Sequence, residues 1–250
     1  MGGNSQVPWR NREIEGSKVR TDEHSKRLLQ KAIKEGFAVA VIDAFHTHDI
    51  KPNQKHRQPW AADYARGLAA SLSNDDRFDA NNFFFSGFSY GGHHAHFLFE
   101  DLNFTSDHSW AAIVAAEPPC NAFFEAKEYL TPVLTIKGGE SHYKPRPCEI
   151  LTELYQEEGV DAELIVYPKS NHYFSHNGKI TKGLAFNGCN ENPVIISANG
   201  NWTFLNGENA DRKTVAKRCM TKMGGSGKSR EDLDLAIDAT IKFFKEKINH

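Results

Sequence analysis

The chain shows almost no charge bias: 30 Lys and Arg stand against 32 Asp and Glu, a net charge of −2. A surface so balanced gives no electrostatic reason to bind nucleic acid or an anionic membrane, and neither is expected as a partner. Long apolar runs are also missing. FAVAVI (37–42) and WAAIVAA (110–116) are the longest, far below the roughly 18–20 residues that span a bilayer. The first residues, MGGNSQVPWRNRE, have no apolar stretch of the kind a secretory signal peptide needs. Cysteine is scarce. Cys120, Cys148, Cys189 and Cys219 are too few for a disulfide-held miniature fold, and none forms the CxxC or CxxxC pair of a structural zinc site. What remains is 250 residues, 39% hydrophobic and 25% charged, the composition of an ordinary folded protein able to bury a large core.

Helix and strand signals alternate along the chain. Residues 22–35 carry Leu28, Leu29, Ala32 and Ile33 at helical spacing and stop at Gly36, a good C-terminal cap. FAVAVID (37–43) reads as a continuous buried strand, the kind found at the centre of a parallel sheet. Further strands are expected at 83–88, 110–117, 131–138 and 162–168, and helices at 60–72, 91–100, 148–159 and 230–247. Repeated strand–helix–strand units with buried strands imply one α/β domain over residues 1–250, a parallel sheet with helices on both faces. The Asn- and Gly-rich stretch from 175 to 228 breaks the alternation. It reads as an irregular insertion packed on the domain through Phe186, Trp202 and Phe204.

The sharpest chemical signal is GFSYGG, residues 87–92, which fits G-x-S-x-G between an apolar strand and a helix. Such a motif places Ser89 at the tip of a tight strand-to-helix turn, where glycines let the backbone pass and the Tyr90 N–H can stabilise an oxyanion. A base should follow late in the chain. His172, in YPKSNHYF, lies just after the strand AELIVYP, at the sheet edge where catalytic groups of open α/β sheets gather. An acid is expected in the loop after TPVLTIKG, which reads GGESHYKPRPC and offers Glu140. Glu117, at the end of WAAIVAAE, is the alternative one strand earlier.

With these residues in view, the chain resembles the dienelactone hydrolase branch of the α/β-hydrolases. The supporting segments are GFAVAVIDAF, RFDANNFFFSGFSYGGHHA, TPVLTIKGGES and AELIVYPKSNHYF, between about Gly36 and Phe174. The resemblance implies an α/β-hydrolase fold and a Ser–His–acid triad that hydrolyses carboxylic esters or lactones without a cofactor. The nucleophile carries over to Ser89 and the base to His172. The family's acid pattern, roughly G-x-x-D after the strand, falls in register on Ser141. Relatives also begin with a strand and a glycine-containing loop that supplies an oxyanion N–H. Here that strand is expected to be missing, with Gly2 and Gly3 as the remnant of the loop. These departures leave a catalytically impaired or non-catalytic binding member of the fold as the alternative reading.

Paired cysteines in some relatives imply Cys120 with Cys148 and Cys189 with Cys219, which would suit a periplasmic or secreted protein. Four ordinary buried thiols would suit a cytoplasmic one. His46 and His48 after the strand FAVAVID suggest a metal site only weakly. Asp49 and Ile50 do not complete H-x-H-x-D-H, and His93 and His96 share a helix face that His94 does not, so no metal is expected. His46, His48, Tyr90, Phe123, Tyr143 and Tyr173 are instead expected to line an aromatic substrate site. The expected partner is a small-molecule ester or lactone, with the protein a monomer or homodimer. The sequons at Asn103 and Asn201 carry no assigned role.

Overall fold

Helix α1 (Glu23–Lys34) ends where a left-handed residue is available. Gly36 adopts φ +93°, its N–H returns to Ile33 O, and the Phe37 N–H returns to Ala32 O at 3.0 Å, capping the last carbonyls. The computed structural model describes residues 23–42, 60–98, 110–127, 131–172, 180–225 and 230–249. Gly2, Gly3, His46, His48 and Tyr173 lie outside them.

After α2 (Ala61–Leu72), strand β1 (Phe84–Phe88) leads directly into helix α3 (Tyr90–His96). Then come β2 (Ala112–Ala116), the short β3 (Ala122–Phe124), β4 (Val133–Gly138), helix α4 (Arg146–Glu157) and β5 (Ala162–Tyr167). Four of these strands form a parallel sheet in the order β1-β2-β4-β5. The sheet is covered on both faces, and β2 shows why its sequence is apolar throughout. Ile113 and Ala115 enter a core with Phe85, Ala95, Leu151 and Tyr155, the side of α3 and α4. Ala112 and Val114 enter a second core with Leu233, Ile237 and Phe244 from helix α6 (Arg230–Glu246), joined by Leu28 of α1. Each β2 side chain is withdrawn from water on one face or the other, so no polar alternation can appear.

Of the buried strand expected at 37–43, the described residues 37–42 form no strand. Residues 37–42 carry no ladder, Ala38 and Ala40 are exposed, and Val39 is 38% exposed. Phe37 packs edge-on against Phe84, and Ile42 touches the first core. Apolarity brings the ends of the segment to the domain, but a strand also needs a hydrogen-bonding neighbour, and among the described residues β1 pairs with β2 alone. The helix expected at 91–100 is shorter, ending at His96.

The described part of the segment expected to be irregular, residues 180–225, is built largely of regular elements. It contains β6 (Ile180–Ala185), β7 (Val194–Ile196), β8 (Trp202–Phe204), α5 (Arg212–Cys219) and β9 (Thr221–Gly225). Strands β6 and β9 pair antiparallel, β7 and β8 form an antiparallel pair, and β3 joins β7 in parallel, attaching the segment to the domain. Its small core is Cys189, Val194, Phe204, Val215 and Cys219, while Phe186 remains exposed. The strands β7 and β8 have three residues each and the apolar cluster is small, and a cross-link lies within that cluster.

Both implied cysteine pairs are disulfides: Cys120–Cys148 and Cys189–Cys219, spanning 28 and 30 residues. Loops of this length stabilise by restricting the unfolded chain, by about 3–4 kcal/mol each on the chain-entropy account. Replacing Cys189 and Cys219 together by serine should therefore lower the unfolding free energy by about 2–4 kcal/mol. Urea titration measures it; an unchanged midpoint would show that the small core suffices without the bridge.

Candidate active site

The turn after β1 is built by two close approaches. A Cβ on Gly87 would lie 2.1 Å from Gly91 O, and one on Gly92 would lie 2.6 Å from Ala116 O, so the helix can pack against the strand ends only if both are glycine. Between them Ser89 is forced to φ 53°, a left-handed value costly for a residue with a side chain. Its N–H donates to Ala116 O at 2.8 Å, and its carbonyl accepts from the His93 N–H as the first helical bond. The hydroxyl is thereby held out at the C-terminal edge of the sheet.

A second left-handed residue sits next to it. Glu117, directly after β2, has φ 54°, while its N–H continues the ladder to Ile136 O at 2.7 Å. The bend turns its carboxylate toward β4. One oxygen, Oε1, accepts the Gly138 N–H. The other, Oε2, accepts from Ser141 Oγ at 2.8 Å, from Lys137 Nζ at 3.0 Å and from His172 Nδ1 at 2.7 Å. Glu117 and Lys137 are both 0% exposed, so the ion pair is shielded from bulk water.

His172 reaches this point from the loop after β5, which lies flat on the loop after β4. A Cβ on Gly138 would meet Ser170 O at 2.4 Å, and one on Gly139 would meet Pro168 O at 2.7 Å. The Glu140 N–H donates to Ser170 O, and Ser170 Oγ donates to Asp232 on α6. The ring is buried, with Nε2 2.9 Å from Ser89 Oγ. An ionised carboxylate can only accept, so Nδ1 carries the proton and Nε2 presents its lone pair to the serine hydroxyl.

Burial opposes ionisation of Glu117, but the Lys137 charge, the His172 ring and the Gly138 N–H outweigh it and hold the carboxyl at about 2. Burial pulls the Lys137 ammonium below the usual lysine value, with Glu117 acting in the other direction. The His172 imidazole is also lowered: burial leads, Glu117 opposes it and Lys137 adds to it. A ring lowered in this way is unprotonated and able to accept a proton near neutral pH.

The structure thus brings together Ser89, His172 and Glu117, and it leaves Glu140 on the surface. Glu140 contributes its backbone to the loop, while its side chain is exposed. The position next to it, Ser141, fills the place where a carboxylate was expected and instead bonds to Glu117. Tyr143 is near the site, its ring 5.4 Å from that of His172, and His142 stands closer at 4.5 Å. Phe123, expected in the pocket wall, belongs to the core at 2% exposure. Tyr90 opens α3 and is partly buried, and burial raises its phenol to about 12. Lys137 and His142 were not foreseen from the sequence, and Ser141 was foreseen only as the position where the acid pattern falls. For Lys137 a signal existed: it is the single charge in the apolar run TPVLTIKG.

Helix α3 also buries His94 and His96 behind the serine. Among the described residues neither ring nitrogen of His96 has a hydrogen-bond partner, nor does His94 Nδ1. Burial, with smaller contributions from neighbouring charges, lowers both to about 3. In the unfolded chain they titrate near 6.5, so the unfolded state binds more protons in acid. Stability present above about pH 6.5 is lost as pH falls toward the folded values, by up to about 1.4 kcal/mol per unit for each ring. Urea unfolding across that range should show the decline, and His96→Leu should flatten it. An unaltered slope in that variant would remove His96 from the explanation.

No protein-family model and no curated protein sequence matches the chain. Solved structures do. An esterase from Thermogutta terrifontis, in a form phosphoramylated by tabun, aligns with a TM-score of 0.50 at 13% identity, covering 69% of this chain and 78% of that one. The fold is that of the α/β-hydrolases. A Klebsiella pneumoniae protein assigned as a dienelactone hydrolase aligns at 0.47 and 19% identity over 61% of this chain and 70% of its own. The propionate-bound form of the Thermogutta esterase aligns at 0.49 and 14% identity, over 69% and 78%. Identities this low speak to the α/β-hydrolase fold alone; what the site does must come from its own geometry.

Proposed function

We propose that this α/β-hydrolase-fold chain is a serine hydrolase of carboxylic esters or lactones, working through Ser89, His172 and Glu117 as a triad. The observation that carries the reading is the unbroken hydrogen-bonded line from Ser89 Oγ to His172 Nε2 at 2.9 Å and from Nδ1 to Glu117 at 2.7 Å. Nucleophile, acid and base follow in that order along the chain, and the hydrogen bonds have the donor–acceptor sense the chemistry needs.

In this mechanism Nε2 takes the hydroxyl proton as Oγ attacks the ester carbonyl. The resulting imidazolium donates that proton to the departing alkoxide, leaving an acyl group on Ser89. Water then attacks the acyl carbonyl with His172 again as base, which releases the acid and restores the serine. Glu117 holds the ring in the productive tautomer and stabilises the imidazolium without itself taking the proton. The Tyr90 N–H, next to the nucleophile, is the proposed oxyanion donor. The partner donor assigned to Gly2 or Gly3 lies outside the described residues. His142 and Tyr143 form the proposed wall beside the ring. The two disulfides support a periplasmic or secreted setting.

Rapid mixing with p-nitrophenyl butyrate tests the acyl-enzyme. The expected result is a burst of nitrophenol and a butyryl group on the peptide containing Ser89 after acid quench. Turnover with no acyl adduct on Ser89 would exclude covalent catalysis by this residue.

A further inference from the structure

The mechanism above makes no use of Lys137, although this cation sits inside the catalytic arrangement. Its Nζ is 3.0 Å from Glu117 Oε2 and 3.2 Å from Pro118 O, in a pair that is 0% exposed on both sides. The oxygen it holds is the one on which His172 Nδ1 rests. Lys137 shares its strand face with Val133 and Thr135, so an apolar residue could have filled the space. We propose that Lys137 is a positioning residue that, through the carboxylate it holds, keeps the His172 ring unprotonated in the resting enzyme and so carries activity into acidic solution. This rests on the serine-hydrolase reading.

The argument is one of charge balance in a buried site. With Lys137 and Glu117 ionised and the ring neutral, the cluster has zero net charge. A proton arriving from solvent on His172 leaves a buried net positive charge, which the low-dielectric surroundings resist. During acyl transfer the imidazolium forms together with an oxyanion, and the balance returns to zero. Lys137 therefore penalises the unproductive imidazolium and spares the productive one. With a neutral residue at 137 the resting cluster would be negative, and a solvent proton on His172 would neutralise it.

Other groups face the ring, and among the described residues none replaces this effect. Ser89 comes from the β1–α3 turn, and His142 and Tyr143 from the loop after β4. Phe88 lies 5.7 Å from the ring, and His24 of α1 stacks on Phe88. Asp232 of α6 acts on Ser170, two residues before the ring. His142 is held at about 3, by burial first and then by the His172 charge, so it carries no charge where the effect is read. Among the described residues, Lys137 and Glu117 are the charges that act on His172.

The test compares wild type and Lys137→Met by the pH dependence of fluorophosphonate inactivation, paired with histidine-ring NMR titration. Wild-type His172 should titrate below its ordinary value of about 6.5. In the variant its midpoint should rise by about one unit or more, and the acid limb of inactivation should move with it, a roughly tenfold slower reaction in the shifted interval. A folded variant with an unmoved midpoint would overturn the proposal, as would a wild-type midpoint above the ordinary value. If Lys137→Met does not fold, Lys137→Gln, which keeps a polar contact to Glu117 without the charge, is read in its place by the same two criteria. Failure of Ser89 to react in folded wild type would sink the hydrolase reading alone, and the ring titration would still decide for or against Lys137.

Discussion

Glu117→Gln is expected to lower kcat toward esters by about 10³- to 10⁴-fold, while Glu140→Gln stays within about twofold of wild type. The amide has the shape of the carboxylate, but Ser141 Oγ and His172 Nδ1 share Oε2, so an amide oxygen placed there sets the NH2 against the Gly138 N–H. The amide cannot supply charge to the developing imidazolium, and if its nitrogen faces the ring it donates where Nδ1 must donate. His172 then turns to the other tautomer, with a proton on Nε2, and the serine loses its base. Lys137 also loses its counter-charge in this variant, so thermal unfolding must confirm that the protein is folded before kcat is read. Glu140 makes no comparable demand, because its carboxylate is exposed and only its N–H is used. A large loss at Glu140 with none at Glu117 would reverse the assignment of the acid.

Ser89→Ala and His172→Ala should each cost more, about 10⁵- to 10⁶-fold in kcat, and the double variant should be little worse than either. The reason is that the serine and the imidazole act as one unit: without the base the hydroxyl is a poor nucleophile, and without the hydroxyl the base has nothing to activate. Each change also leaves the sheet unaltered, since Ser89 contributes its backbone to Ala116 and the His172 loop is anchored through Gly138, Gly139 and Ser170. KM should move far less than kcat. Losses that simply multiply in the double variant would mean that the two residues work independently, and the hydrogen bond between them would then have no catalytic meaning.

Much of the scaffold was legible in the sequence because its strands are apolar on both faces. The runs at 83–88, 110–117, 131–138 and 162–168 announce a covered parallel sheet, and the sheet has these four strands. The neighbouring positions of Ser89 and His172 were legible for a related reason, since both follow core strands at one edge. Choosing between Glu117 and Glu140 was a different problem. It depends on the left-handed bend at Glu117 and on the Gly138 N–H that captures its carboxylate, features set by strand register rather than by residue type. The run FAVAVI misled because apolarity without a ladder partner does not make a strand. The Asn- and Gly-rich segment misled in the opposite sense, because its order comes from short pairings and from Cys189–Cys219, contacts distant in sequence. Lys137 was visible as a lone charge in an apolar strand, but its partner lies 20 residues away on a neighbouring strand end.

The most direct measurement is to treat the folded, oxidised protein with a fluorophosphonate and map the modified peptide by mass spectrometry, beside His172→Ala as control. The account predicts a single phosphonyl adduct on Ser89 that the control loses. Label on another residue, or none on folded wild type, would contradict it.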